Sequence, residues 1–177
     1  MKGEPAGVST VVLGAAALFL DYPSAETAPD VALVAETLRR LPGRGPVARL
    51  QTFNDWWSAL SPREREMLYV ETFDMRADIS LYLFSSGPRS DGQQGRALLA
   101  LRETYRRHGF EPVTHELPDY LPLVLEFAAR VGEGRRILGD HASSLHELRQ
   151  SLERRGSPFA EVVSAILGVE KRRWPWP

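Results

Sequence analysis

The 177-residue sequence contains no cysteine. Disulfide bonds, thiolate nucleophiles, iron–sulfur ligation and cysteine-based zinc sites are therefore excluded. Long apolar runs are also missing: the most apolar stretch, residues 8–20, is interrupted by Ser9, Thr10 and Gly14 and suits a core helix better than a bilayer span. We expect no signal peptide, no stable membrane association and a cytoplasmic location.

Charge of one sign is not in excess either, since the sequence has 22 lysine and arginine residues against 23 aspartate and glutamate residues. We expect no nucleic acid partner, because neutralising a phosphate backbone requires a clustered basic surface. Glycine-rich phosphate loops and a serine nucleophile elbow are absent. His141 and His146 are five residues apart and fall on different helix faces, which predicts no metal site. These absences argue against an enzyme.

What the sequence does contain is helical periodicity. Prolines and glycines divide the chain into segments whose apolar residues recur at helical spacing, and the strict alternation typical of strands is missing. The sequence predicts an all-α fold, a single-domain bundle of about eight or nine helices. The helical domain is expected to cover residues 1–170, and residues 171–177 are expected to form a C-terminal tail.

Several helix ends are marked by residues with known terminal preferences. Ser61 and Pro62 predict the start of a helix, and apolar residues at helical spacing continue it to Phe84. We interpret this stretch as a central helix, or two helices joined near Asp74, packed on much of its circumference. Other helices are predicted at residues 8–21, 29–41, around Phe53, Trp56 and Trp57, and at 91–108, 119–131, 140–155 and beyond Pro158.

An acidic stripe is expected on the central helix, because Glu71, Asp74 and Asp78 follow one another at spacings of three and four residues. A solvated helix face is its ordinary explanation. The functional interpretation is a docking surface for a basic peptide. A catalytic carboxylate pair is a further interpretation, although no base, nucleophile or metal ligand accompanies the stripe.

Residues 116–127 predict a capped helix start. Pro118 disfavours helical backbone immediately before Asp119, and Asp119 is expected to cap the helix by accepting a hydrogen bond from a first-turn amide, that of Leu121. Pro122 falls in the first turn, where its missing N–H has no consequence. From these residue preferences alone, we interpret the segment as a capped core helix.

The same segment also carries a family pattern. It reads Glu116-Leu117-Pro118-Asp119-Tyr120, followed by Leu125-Glu126-Phe127. This resembles the signature of the redox-enzyme maturation chaperones, in which an E-x-x-D-[HY] turn leads into a helix ending in L-E-F. Residues 18–23, 69–74 and 80–83 resemble one branch of that family, the NarJ-type assembly chaperones of respiratory nitrate reductase.

One stretch departs from the family pattern. The family usually has an aromatic pair and a G-D-T turn with several arginines where this chain has residues 84–95. Here the glycine-rich turn is kept, the aromatic pair is reduced, and Gln93 and Gln94 replace arginines. A charge-based contact made by other members at this place is therefore not expected to be conserved in the same form.

The resemblance implies an all-helical chaperone without catalytic activity. Members of the family bind the N-terminal segment of a molybdoenzyme catalytic subunit and hold the apoenzyme in the cytoplasm until molybdopterin guanine dinucleotide is inserted. Nitrate reductase chaperones also delay docking to the membrane partner. The implied partner is thus the catalytic alpha subunit of nitrate reductase, and the cofactor belongs to this client. The chaperone is expected to be a monomer or a domain-swapped dimer.

We expect the client segment to fold as an amphipathic, somewhat basic helix in an apolar groove. The residues predicted to contact it combine aromatic rings with carboxylates: Tyr69, Glu71, Phe73, Asp74, Asp78, Tyr82, Glu116, Asp119, Tyr120 and Glu126.

Three alternatives remain open at this point. The first is a sister chaperone for another molybdoenzyme, such as an N-oxide or sulfoxide reductase. The second is a small helical enzyme that uses the Glu71/Asp74 or Glu116/Asp119 carboxylates, and the third is a structural adaptor that binds a folded partner.

Overall fold

A computed structural model describes residues 6–76, 78–85 and 91–171. Over these ranges the chain is all-α, as predicted, with nine α-helices and no strand. Residues 172–177 of the predicted tail and residues 86–90 of the divergent stretch lie outside the described residues. The α-helices are α1 (Ala6–Leu20), α2 (Ala28–Arg40), α3 (Pro46–Ser58), α4 (Pro62–Tyr69), α5 (Asp91–Arg107), α6 (Leu121–Arg130), α7 (Gly132–Asp140), α8 (Ala142–Arg154) and α9 (Phe159–Lys171).

Helix α1 lies at the centre of the bundle. Its residues from Val12 onward are almost all buried, and the small side chains of Ala15 and Ala16 allow neighbouring helices to approach closely. Helix α6 packs along one side of α1 and α9 along another, while α3 and α8 both pack against α9. The apolar stretch at residues 8–20, which is too short for a membrane span, therefore forms the centre of the core. Within the described ranges, no helix has both the length and the apolar character needed to cross a membrane.

An aromatic cluster joins α1, α3 and α9. The Phe53 ring lies 5.0 Å from the Phe19 ring, 5.5 Å from the Trp57 ring and 5.2 Å from the Phe159 ring. Phe159 also contacts Phe73 edge to face at 4.9 Å. Aromatic pairs at these separations add about 0.5–1.5 kcal/mol each beyond the area they bury. The cluster therefore fixes the start of α9 against the chain that follows α4.

The predicted start of α4 is confirmed. The Ser61 hydroxyl accepts a hydrogen bond from the Glu64 amide, and the Glu64 carboxylate accepts one from the Ser61 amide. This is a capping box, with Pro62 in the first turn. Local sequence therefore determines where this helix begins.

The prediction that this helix continues to Phe84 is wrong. Helix α4 ends at Tyr69 and is followed by one π-helical segment, Val70–Asp74, in which the Met75 amide donates to the Val70 carbonyl at 3.0 Å. Beyond it, the described part of residues 75–85 is not helical. The helical spacing of the apolar residues there did not reflect a helix face, since Ile79 is buried while Met75 is 72% exposed.

Tyr82 pairs with Tyr120 because the start of α6 supplies backbone partners to the residues on either side of Tyr82. The Leu83 amide donates to the Asp119 carbonyl at 3.0 Å, and the Leu121 amide donates to the Leu81 carbonyl at 2.7 Å. Together these bonds form an isolated antiparallel bridge between Tyr82 and Tyr120. Because these hydrogen-bonded residues are far apart in sequence, the spacing of apolar residues along the chain does not reveal their pairing.

Helix α7 is absent from the predictions because three glycines lie within its nine residues, and glycine has a low helix propensity. Gly134 has a packing role. A Cβ atom at this position would lie 2.6 Å from the Ala128 Cα and 2.8 Å from the Phe127 ring. The missing side chain lets α7 pack directly on the backbone of α6.

The Gly134→Ala substitution is therefore expected to destabilise the fold by about 3 kcal/mol, because the added methyl group meets backbone that cannot move aside. Gly132→Ala is the matched control, since a Cβ atom there meets nothing within 4 Å. Urea unfolding of both variants measures the difference. Equal free energies of unfolding for the two variants would show that α7 does not need this close approach.

Candidate functional site

A cavity of about 350 Å³ lies where α1 ends, below the π-helical segment and beside the Tyr82–Tyr120 bridge. We call it the tyrosine cavity. Its lining combines aromatic rings with carboxylates, and none of the described lining residues is lysine, arginine or histidine. The lining residues are Asp21, Tyr22, Tyr69, Phe73, Asp74, Ile79, Ser80, Leu81, Tyr82, Glu116 and Tyr120.

The floor of the tyrosine cavity is a network of hydroxyl groups. The Tyr69 hydroxyl lies 2.9 Å from the Tyr120 hydroxyl and 3.2 Å from the Leu20 carbonyl oxygen. The Tyr120 hydroxyl lies 3.1 Å from a carboxylate oxygen of Asp21. Burial raises the pKa of both tyrosines above the ordinary range, so both hydroxyls keep their protons at neutral pH.

The proton count of this network favours a ligand that donates hydrogen bonds. Each tyrosine hydroxyl has one proton, so the hydroxyls of Tyr69 and Tyr120 cannot donate in all of these contacts at once. Asp21, Asp74 and Glu116 add acceptors at the cavity wall. An ammonium or guanidinium group matches this surplus of acceptors and negative charge.

The mouth of the cavity is closed on one side by Tyr82 and Glu116. The Tyr82 hydroxyl donates to the Glu116 carboxylate, and the Tyr82 ring lies 5.5 Å from the Tyr120 ring. Burial, followed by the nearby Glu116 carboxylate, raises the pKa of Tyr82 to about 12. This bond connects the exposed chain before α6 to the rings on the cavity floor.

Asp119 does not cap α6, contrary to the prediction. Tyr120 is the N-cap residue without a side-chain cap, and the Leu121 amide already donates to the Leu81 carbonyl. The Asp119 carboxylate is buried, with 1% of the residue exposed, and accepts a hydrogen bond from the Phe84 amide at 2.9 Å. Asp119 therefore holds the chain after Tyr82 against the start of α6.

The predicted acidic stripe is not a single face, because the chain leaves the helix after Asp74. Asp74 lines the tyrosine cavity. Glu71 lines a separate cavity of about 220 Å³ together with Arg155. Asp78 forms an ion pair with Arg155, at 2.7 and 2.8 Å to its two carboxylate oxygens, and this hydrogen-bonded guanidinium lowers the pKa of Asp78. Of the three, the structure keeps only Asp74 as a candidate contact in the tyrosine cavity.

The tyrosine cavity also contains six of the ten residues predicted to contact a client: Tyr69, Phe73, Asp74, Tyr82, Glu116 and Tyr120. The structure places Glu126 elsewhere, on α6, where it pairs with Arg130 at 2.7 Å. Asp21 and Tyr22 were not predicted as contacts, although residues 18–23 carried part of the family resemblance. Their position at the end of α1 is what brings them to the cavity.

A third cavity, of about 370 Å³, lies against α8 and is rich in hydroxyl groups, including those of Ser85, Ser144 and Ser151. Ser80, Leu81 and Tyr82 line both this cavity and the tyrosine cavity. Residues 80–82 therefore form a partition between the two cavities. Within the described ranges, no group of three or more histidine, aspartate or glutamate side chains could hold a metal ion.

Comparison with known proteins places the chain in a family. The model of the family described as "Nitrate reductase delta subunit" matches residues 44–165. A probable nitrate reductase molybdenum cofactor assembly chaperone, NarJ of Bacillus subtilis, is 32% identical over 163 residues, which cover 90% of this chain and 88% of that protein.

Two further relatives are longer than this chain. The nitrate reductase-like protein NarX of Mycobacterium tuberculosis is 34% identical over 88% of this chain and 24% of its own length. The nitrate reductase molybdenum cofactor assembly chaperone NarJ of Escherichia coli is 31% identical over 62% of this chain and 48% of its own length. The chain thus spans about a quarter and about half of these two proteins. Together with the family match, these similarities show that the chain belongs to the nitrate reductase delta subunit family, the NarJ-type family that its motifs resemble.

Proposed function

We propose that this protein is an assembly chaperone for molybdenum cofactor insertion into nitrate reductase, and that it binds the N-terminal segment of the apo catalytic alpha subunit. The observation that carries this proposal is the tyrosine cavity. It joins aromatic surface to Asp21, Asp74 and Glu116 with no described lining residue of opposite charge. The names of the Bacillus and Escherichia relatives, which describe cofactor assembly chaperones, support the choice of client class.

The cavity chemistry suggests how a client segment is held. An amphipathic helix places its apolar side chains against rings such as Phe73 and Tyr82, as helix-in-groove recognition does. Its basic residues meet the carboxylates at the wall and the surplus acceptors of the floor. Ordering a flexible segment consumes part of the binding free energy, so the complex is moderate in affinity and reversible. Release after cofactor insertion, before the client docks at the membrane, requires this reversibility.

The carboxylates support binding better than catalysis. Glu71 and Asp74 line different cavities, so they do not converge on one substrate. Glu116 is exposed and bonded to Tyr82, while Asp119 is buried and bonded to backbone. In this proposal the protein acts in the cytoplasm without catalysis of its own. Molybdopterin guanine dinucleotide is bound by the client.

The proposal is tested by capturing the client. The tagged chain is expressed beside nitrate reductase in cells respiring nitrate, and co-purified proteins are identified by mass spectrometry with molybdenum analysis. We expect the alpha subunit to co-purify in its molybdenum-free form. Recovery of an N-oxide or sulfoxide reductase instead would assign the chain to a sister system. Binding only of a folded partner, with no binding of an N-terminal peptide in isothermal titration, would favour an adaptor.

A further inference from the structure

Three exposed apolar residues adjoin the carboxylates of the tyrosine cavity in the sequence. Seven large apolar side chains are exposed over the described part of the chain, and three of these directly follow a carboxylate of the cavity lining. The pairs are Asp21-Tyr22, Asp74-Met75 and Glu116-Leu117. They come from three separate parts of the chain: the end of α1, the end of the π-helical segment and the residues before α6. One arrangement, an acidic residue followed by an exposed apolar one, therefore occurs three times at a single cavity.

Met75 and Leu117 lie at the margin of the cavity. Neither belongs to its lining, but each Cα atom is about 3.8 Å from that of a lining residue, Asp74 or Glu116. Met75 is 72% exposed and Leu117 is 48% exposed, and among the described residues neither is buried in, or partly buried against, the hydrophobic core. Their apolar surface therefore contributes little to the stability of the isolated chain. We call Tyr22, Met75 and Leu117 the apolar rim.

The apolar rim restricts which ligands fit the cavity. The acidic groups at the centre favour a basic side chain, and the rim favours apolar side chains beside it. On a helix, residues three and four positions apart lie on the same face, with about 5–6 Å between their Cβ atoms. One helix face can thus present a lysine or arginine with apolar residues one turn before and one turn after it. A helix whose basic residues lie opposite its apolar face cannot contact the cavity and the rim together.

We propose that the apolar rim makes the protein selective for a client helix in which a basic residue lies within the apolar face, flanked by apolar residues three or four positions away on each side. This inference rests on the proposed function, because it specifies the client pattern that the same cavity recognises. The basic side chain enters between Asp21, Asp74 and Glu116, and the flanking side chains cover the rim. Methionine suits such a rim, because its flexible and polarisable side chain adapts to different apolar partners.

The rim also shields the charge contacts inside it. Apolar contacts around a central contact exclude water from it, and ion pairs away from solvent are screened less by salt than exposed pairs are. Removing the rim should therefore weaken binding and also make binding more sensitive to salt. A rim that supplied only contact area would change the affinity without changing the salt dependence.

The first test compares two helical peptides of identical composition. In the centred peptide, one arginine has leucines at positions i−4, i−3, i+3 and i+4. In the segregated peptide, this arginine is exchanged with the polar residue two positions later, which lies about 200° around the helix and so points away from the leucines. We expect the intact chain to bind the centred peptide at least about tenfold more tightly in isothermal titration. Equal binding of the two peptides, or tighter binding of the segregated one, would overturn the proposal.

The second test removes part of the rim with Met75→Gln and Leu117→Gln. The matched control is Leu33→Gln and Leu99→Gln, because these leucines are 67% and 68% exposed and line none of the three cavities. We expect the rim variant to bind the centred peptide about tenfold more weakly, with a steeper loss of affinity on adding salt, and the control to match the intact chain. Urea unfolding should give both variants the stability of the intact chain. Unchanged binding by the rim variant would contradict the inference.

The N-terminal peptide of the client separates this inference from the proposed function. Weaker binding of that peptide to the rim variant than to the control variant would support both. If the intact chain and the rim variant bind it equally, the rim does not recognise the client, and the chaperone proposal stands. If the centred peptide binds as expected and the client peptide does not bind, the proposed client is wrong and the preference of the cavity remains. If the intact chain binds neither peptide, both proposals fail.

Discussion

Neutralising the tyrosine cavity with Asp21→Asn, Asp74→Asn and Glu116→Gln is expected to weaken binding of the client N-terminal peptide by about a hundredfold. Each carboxylate that meets a basic side chain contributes on the order of 1 kcal/mol, and about 2.7 kcal/mol corresponds to a hundredfold change in the dissociation constant. The amides keep the shape and most hydrogen-bond acceptors of the carboxylates, including the acceptor for the Tyr120 hydroxyl at position 21. Isothermal titration measures the dissociation constants.

The matched control is the double variant Glu71→Gln, Asp78→Asn. These two carboxylates belong to the predicted stripe, but the structure places Glu71 in another cavity and pairs Asp78 with Arg155. The control should bind the peptide as the unaltered chain does. Its binding should also show the same loss with added salt, since the cavity charges remain. Equal weakening by both sets of substitutions would indicate a diffuse acidic surface and not a defined cavity.

Replacing Asp119 with alanine is expected to lower the free energy of unfolding by about 3 kcal/mol, because the buried Phe84 amide loses the side-chain oxygen that accepts its hydrogen bond. The Phe84 amide donates to this carboxylate at 2.9 Å, and the Leu83 amide donates to the Asp119 carbonyl. Without the carboxylate, we expect the chain from Leu81 to Phe84 to detach more often from the start of α6. Urea unfolding and amide hydrogen exchange at Leu83 and Phe84 measure both effects.

The Asp119 variant should also weaken peptide binding, because the loosened segment carries Tyr82 into the tyrosine cavity. Asp119→Asn keeps an oxygen acceptor for the Phe84 amide and should recover much of the stability and most of the binding. Glu126→Ala, on the helix α6 that follows Asp119, is the control, since that carboxylate is part of an exposed pair with Arg130 and such pairs contribute little. Unchanged exchange at Phe84 in Asp119→Ala would show that the carboxylate does not hold this segment.

Much of the fold was predictable because the signals that end and start helices are local. Ser61 and Glu64 form a capping box within four residues, with Pro62 in the first turn. Gly109, with φ of 65°, follows the end of α5 as a left-handed stop. The apolar residues before Asp21 correctly indicated a core helix. Each of these features depends on neighbours within a turn or two along the chain.

The site was only partly predictable, because its residues come together from distant positions. Tyr69, Phe73 and Tyr120 could be selected as candidates by their type and by the family resemblance, but the sequence does not place Asp21 beside Tyr120. That contact joins positions 99 residues apart. The same reason explains the error at Asp119. Local sequence favours a helix cap there, whereas in the fold its carboxylate accepts a hydrogen bond from the amide of Phe84, 35 positions away.

The sequence alone therefore established the helical class, most helix starts and the family signature in residues 116–127. These follow from backbone propensities, caps and motif order, which act over a few residues. The tertiary structure was needed to end α4 at Tyr69, to pair Tyr82 with Tyr120 at the start of α6, and to separate Glu71 and Asp78 from Asp74. Those outcomes depend on which residues, far apart in sequence, form backbone hydrogen bonds and ion pairs with one another. A pattern of neighbouring residues does not specify either kind of contact.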